Sequence, residues 1–138
     1  MDWGERRIGL ALSDESQVLA QPLATLTRRV GKRVPMPQLL AHLAAHRVVG
    51  VVVGLPLDPA GSEGAAAHHA RALAADIARR SGLPVDTWDE RLTTARVLQA
   101  IREMGGSAKG RKAEVDALAA TLLLQHYLDA RRGGSSAP

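Results

Sequence analysis

The chain has no cysteine and no phenylalanine, and its only aromatic residues are two Trp and one Tyr. Without thiols there is no disulfide scaffold, no thiolate metal site and no cysteine nucleophile. Without Phe, a core has to be built from Leu, Val, Ile and Ala. Hydrophobic residues still make up 46% of the 138 positions, enough for one domain with its own core and too few for two ordinary ones. So few aromatic rings argue against sequence-specific reading of single strands, which relies on stacking.

Long apolar runs are missing too. The longest, "VVGVVVGLPL" (Val48 to Leu57), is far shorter than a membrane span, and no signal-peptide pattern precedes the first strand-like run. The expectation is a soluble cytoplasmic protein with no membrane partner. "GLPLDPAGSEG" is glycine-rich after a strand but has no Lys-Ser/Thr, so it is a turn and not a P-loop. His42 and His46 stand four apart without the glutamate of a zinc-protease helix, and read as a solvated helix face.

Charge is present and clustered. Lys and Arg number 18 against 14 Asp and Glu, a net charge of +4. The excess gathers at Arg6-Arg7, Arg28-Arg29 with Lys32-Arg33, Lys109-Arg111-Lys112 and Arg131-Arg132. Basic clusters of this kind suit a polyanion such as a nucleic acid, and equally keep a domain soluble. The loop "GSAKGRK" is the best seat for phosphate contacts, since a basic loop can follow a backbone.

"RIGLALS" (Arg7 to Ser13) alternates as a strand with Ile8, Leu10 and Leu12 on one face, and "QPLATLTRR" follows as its antiparallel neighbour. "MPQLLAHLAAHR" has helical spacing, and "VVGVVVGLPL" reads as a strand covered on both faces. "SEGAAAHHARALAADIARRSG" predicts a helix stopped at Gly82, "LPVDTWDE" the next strand, and Thr93 or Thr94 the cap of a helix carrying Val97, Leu98, Ile101 and Met104. "KAEVDALAATLLLQHYLDARR" is the strongest helix, ahead of a disordered tail at 133–138. A meander leading into strand–helix–strand units predicts one α/β domain over 1–132, a mixed sheet flanked by helices.

Four acids stand out. Asp2 would lie at the end of the first strand, Asp89 and Glu90 lie where "VDTWDE" runs out, and Asp116 lies on the apolar stripe of the last helix. A carboxylate on such a stripe is costly without a partner. One partner is a divalent cation held by acids from separate elements, as in metal-dependent phosphodiester hydrolysis. Others are ordinary: Asp89 capping a turn, and Asp116 pairing with Lys112 one turn back. The residues alone leave both readings open.

"DWGERRIGLALSD", "VVVGLPLDPAGSEG", "DERLTTARVL" and "VDALAATLLLQHYLD" resemble, in order, the blocks of the YqgF family, the RuvX-type, Holliday-junction-resolvase-like nucleases of pre-16S ribosomal RNA. The resemblance covers nearly the whole chain. It implies a ribonuclease H-like mixed five-stranded sheet, Mg²⁺ or Mn²⁺ as cofactor in a two-metal site, and maturation of the 5′ end of 16S ribosomal RNA within the pre-ribosomal particle. By the same resemblance Asp2, Glu90 and Asp116 are the metal ligands, with Asp89 the alternative to Glu90 in the catalytic set. By the same resemblance Arg91, Thr93 and Thr94 would line the site, while charge clustering makes Arg6, Arg7, Lys109, Arg111 and Lys112 the further candidates for contacts to RNA. The resemblance further suggests that "GLPLDPAGSEG" rims the site.

The family pattern starts several residues ahead of the acid with an apolar stretch that makes most of the first strand. That stretch is absent here, so the first strand is expected to be truncated at the N-terminus, and the natural start to lie upstream. Two rival functions stand beside the RNA nuclease: a structure-specific resolvase of branched DNA, and a non-catalytic RNA-binding factor in ribosome assembly. No heptad or large apolar patch demands a dimer, so a monomer or weak dimer is expected.

Overall fold

The computed structural model describes residues 1–3, 7–28, 34–58, 60–92, 100 and 112–136. In chain order its elements are β1 (Asp2–Trp3), β2 (Arg7–Ser13), β3 (Ala20–Thr27), α1 (Met36–Ala45), β4 (Val51–Leu55), α2 (Ala65–Ser81), β5 (Val85–Asp89), a 3₁₀ turn (Glu90–Leu92) and α3 (Lys112–Ser136). α3 runs through four of the positions that the sequence reading gave to the tail. The helix expected after Thr93 and Thr94 lies outside the described residues.

β2 forms as its alternation predicts: Ile8 and Leu10 are buried, and the strand pairs antiparallel with β3. The register steps once, because Leu10 faces Ala24 and Ala11 faces Pro22, leaving Leu23 as the extra residue. Proline has no N–H for the ladder, and a bulge beside it accommodates the loss. Asp14 fixes the turn between the strands by accepting from the Val18 N–H (2.8 Å), the Leu19 N–H (3.1 Å) and the Ser16 hydroxyl (2.9 Å). Those bonds hold its carboxyl below the usual carboxylate range.

β4 and β5 pair in parallel, from Val51 opposite Val85 to Leu55 opposite Asp89. Helix α2 joins them, its Ala67, Ala70, Leu73, Ala74 and Ile77 turned to the core. It ends at Gly82, whose φ of 72° closes the last turn in the left-handed region that suits glycine. β4 is shorter than the apolar run that announced it, since Val49 is exposed.

The expected single five-stranded sheet is not what forms. The described residues form two sheets, one ordered β1-β2-β3 and one β4-β5. The reason is the length of β1: two residues pair with β2, Asp2 opposite Gly9 and Trp3 opposite Ile8, and Met1 is the residue bonded to β4. The Met1 amine donates to the Val52 carbonyl (2.6 Å), and the Gly54 N–H donates to the Met1 carbonyl (3.0 Å). These two bonds have the form of one step of a parallel ladder, and they stitch the sheets together without merging them.

Helix α3 packs across β2 and β3. Its buried Ala119, Ala120 and Leu123 let it come close, and at Gly9 it comes closer than any side chain would permit. The largest fully buried side chains, Ile8, Leu39, Val53, Ile77 and Leu123, come from sheet and helices alike and are all aliphatic. None of the described helices is long and apolar enough to cross a membrane.

Candidate active site

The four acids do not scatter. Asp2 is on β1, 4% exposed, and its register partner on β2 is Gly9. A β-carbon on Gly9 would stand 2.0 Å from the main-chain oxygen of Asp116, so Asp116 on α3 lies directly over the strand position opposite Asp2. On the other side of Asp2, Met1 is bonded to Gly54. The Glu90 carboxylate lies over Gly54, with Oε1 2.8 Å from where a β-carbon would be. Asp2, Glu90 and Asp116 thus come from three elements onto adjoining backbone positions, Gly9 and Gly54 being the seats that make room for the other two.

Polar neighbours set the electrostatics. The Arg7 Nε donates to Asp116 Oδ2 at 2.5 Å, the two side chains being 31% and 22% exposed. Lys112, the partner that helix spacing suggested for Asp116, has no described side chain, and Arg7 does the pairing from β2. The Met1 amine is fully buried, which pushes its pKa from 8.0 down to about 6, while the negative charges of Asp2 and Glu90 pull the other way. Both carboxylates therefore lie within electrostatic reach of one amine.

Asp89 plays a different part from Glu90. Both its oxygens accept from Arg91: the main-chain N–H reaches Oδ1 (2.9 Å), Nε reaches both oxygens (3.1 Å each) and Nη2 reaches Oδ2 (2.7 Å). The Arg91 side chain is the main cause that holds the Asp89 carboxyl below its ordinary range. Arg91 in turn lies on Gly61, its Nη1 3.2 Å from the point a β-carbon would occupy. Gly61 has a φ of 89° in a tight turn, where its N–H donates to the Asp58 carbonyl at 2.9 Å and the Ser62 N–H donates to Asp58 Oδ1 at 2.8 Å. The loop after β4 is therefore held against Arg91, one residue from Glu90.

The donor set consists of carboxylate oxygens, which suits a hard divalent cation such as Mg²⁺ or Mn²⁺. Among the described residues no three His, Asp or Glu side chains stand together ready to hold a metal. Their backbones adjoin, but the Asp116 carboxylate is turned to Arg7. Arg6, Thr93, Thr94, Lys109 and Arg111 lie outside the described residues, and Lys112 is placed only as the first residue of α3. The importance of Gly9 and Gly54 was not read from the sequence. The available signal was a glycine inside each of two apolar strands, "RIGLALS" and "VVVGL", which marks close approach of another chain segment.

The family described as "RuvX: Holliday junction resolvase" matches residues 1–130. A protein of Anaeromyxobacter sp. (strain Fw109-5) is 44% identical over 131 residues, covering 95% of each chain. Proteins of Koribacter versatilis (strain Ellin345) and Paramagnetospirillum magneticum (strain ATCC 700264 / AMB-1) are each 41% identical over 133 residues, covering 96% of this chain and 86% and 85% of theirs. All three bear the name "Putative pre-16S rRNA nuclease".

Proposed function

We propose that this chain, which belongs to the RuvX family, is a nuclease that hydrolyses phosphodiester bonds of pre-16S ribosomal RNA with the help of divalent metal. The observation that carries the reading is the meeting of Asp2, Glu90 and Asp116, from β1, the turn after β5 and α3, on adjoining backbone positions. In this reading the strands take the order β3-β2-β1-β4-β5, the mixed sheet of a ribonuclease H-like fold, and the two Met1 bonds to β4 support that order.

Asp2, Glu90 and Asp116 would hold Mg²⁺ or Mn²⁺, in a two-metal site of the ribonuclease H kind. When bound, such ions activate water and neutralise charge on the leaving oxygen. The protein's own share is positional. Buried Asp2 is a fixed oxygen donor on a strand, and Glu90 is fixed over Gly54. Arg7 holds Asp116 in the absence of metal and then faces the phosphate backbone. Asp89 orients Arg91 toward RNA from the rim. The RNA is structured and belongs to the pre-ribosomal particle in the cytoplasm.

The test is a competition. The purified chain is given precursor 16S RNA carrying its 5′ leader and a four-way DNA junction, with Mg²⁺ or Mn²⁺. Metal-dependent cleavage of the RNA ahead of the junction is expected. Preferential cutting of the junction would make the protein a resolvase. Binding of RNA without cutting under either metal would make it an assembly factor.

A further inference from the structure

Helix α3 meets the strands on a smooth face. Ala117, Ala119 and Ala120 are buried there, and short methyl side chains make ridges too shallow to fix a helix along its axis. Axial position nevertheless matters at both glycine seats. Asp116 stands over Gly9, while Leu123 Cδ1 lies 2.6 Å from the point a β-carbon on Gly54 would occupy, next to Glu90 Oε1 at 2.8 Å. Sliding α3 therefore carries Asp116 off its strand position and moves the methyl group that borders the Glu90 carboxylate.

Gln125, just beyond Leu123, makes the directional contact that the alanines cannot. Its Oε1 accepts from the Ala20 N–H at 2.8 Å, and its Nε2 donates to the Val18 carbonyl at 2.8 Å. Nε2 also donates to Asp129 Oδ1 at 3.0 Å. A carboxylate only accepts, so Asp129 fixes which way round the amide lies. Asp129 is itself held by Arg132. The amide thus takes one N–H and one C=O of the β2–β3 hairpin, as a neighbouring strand would. The receiving backbone is rigid, because the Val18 and Leu19 N–H groups are bound by Asp14.

The lengths of helix and strand match. From Asp116 to Gln125 the helix is about 14 Å long, at about 1.5 Å per residue. From Gly9 to Ser13, the register partner of Ala20, the strand covers about the same length, at about 3.4 Å per residue. Both contacts are therefore satisfied at one register of α3 along β2. A slip of one residue would displace Asp116 by about 1.5 Å, whereas a working site holds its groups within about 0.5 Å.

We propose that Gln125 is a positioning residue of the nuclease: by pinning α3 to the β2–β3 hairpin it sets where Asp116 stands over Gly9 and where Leu123 borders Glu90. The role rests on the metal-site reading above and adds to it a residue remote from the acids, which acts through Asp116 and Glu90.

Variants of the full chain test it. Gln125→Leu keeps the bulk and loses the bonds, and Gln125→Glu keeps an oxygen for Ala20 but loses the donor to Val18. Asp14→Asn loosens the same hairpin without touching α3. Each is checked by circular dichroism and urea unfolding, titrated with Mn²⁺ by calorimetry and assayed on precursor 16S RNA. Gln125→Leu is expected to raise the Mn²⁺ dissociation constant at least about tenfold and to lower kcat about 10–100-fold, with KM for RNA unchanged. Gln125→Glu is expected to shift both the same way by less, and it decides the matter where Gln125→Leu does not fold. Asp14→Asn is expected to lose stability and to bind Mn²⁺ as the parent does. Folded Gln125 variants with the parent's Mn²⁺ affinity overturn the proposal. So does an Asp14→Asn protein that loses as much Mn²⁺ affinity as Gln125→Leu, which would leave Gln125 a role in stability alone. A parent that binds no Mn²⁺ would instead overturn the metal-site reading, and this role with it.

Discussion

The main-chain oxygen of Asp116 lies 2.0 Å from the point where a β-carbon on Gly9 would stand, so helix α3 meets strand β2 backbone to backbone. That contact places a helix-borne acid over the strand position opposite Asp2. Gly9→Ala cannot be relieved by a side-chain rotation, because the clashing atom is main chain. Overpacking of this kind costs about 1–3 kcal/mol and more where backbone must move. The variant is expected to lose at least about 2 kcal/mol in urea unfolding, and to lose nuclease activity even where it remains folded.

Asp89 and Glu90 are neighbours in different surroundings, and the proposed metal site gives them different parts. Asp89 is bound by Arg91, whereas Glu90 lies over Gly54 beside Met1. Glu90→Gln is expected to lower kcat by more than about a hundredfold with RNA affinity little changed, since outer-shell partners alone cost about 10–100-fold. Asp89→Asn is expected to leave kcat within about tenfold and to raise KM, because Arg91 loses its anchor. Single-turnover kinetics on precursor RNA separate the two effects, and the reverse pattern would exchange their roles.

Most elements were legible because their signals are local. The alternation of "RIGLALS", the helical spacing that buries Ala70, Leu73 and Ile77, and the stop at Gly82 each act within a few residues. The four acids were also legible as candidates, since each is oddly placed in its own segment. Their assembly was not. Arg7 pairs with Asp116 across 109 positions of sequence, and helix spacing pointed instead to Lys112. The choice between Asp89 and Glu90 likewise depends on Gly54 and Gly61, which belong to β4 and the loop after it. The break between the sheets follows from the two-residue length of β1.

The turn at Asp14 gives a pH dependence. Hydrogen bonds from Val18 and Leu19, in that order, lower its carboxyl below 3.8, so it binds protons more weakly folded than unfolded. A depressed carboxyl contributes stability above its unfolded pKa, and that contribution is lost as the pH falls through the folded value. Asp14→Asn is therefore expected to be less stable than the parent at pH 7 and to close the gap below about pH 4. Urea midpoints from pH 7 to pH 3 measure this; a gap that widened on acidification would contradict it.

The Tyr127 hydroxyl on α3 donates to Asp86 Oδ2 on β5 at 2.9 Å, and its ring meets Trp88 edge to face at 5.6 Å. Tyr127→Phe keeps the ring contact and removes the bond. A loss of about 1.5–3 kcal/mol is expected in urea unfolding, as for a hydrogen bond to a charged acceptor, with RNA cleavage unchanged. Loss of cleavage in the folded variant would draw this pair into the active site.

The central claim is that Asp2, Glu90 and Asp116 serve one metal centre, and Asp116→Asn tests it most directly. The measurement is Mn²⁺ binding by calorimetry together with cleavage of precursor 16S RNA, on protein whose circular dichroism matches the parent. The account predicts that the parent binds Mn²⁺ and cleaves, and that the variant stays folded, loses Mn²⁺ binding and leaves the RNA intact. A folded variant that binds Mn²⁺ and cleaves as the parent does would contradict it.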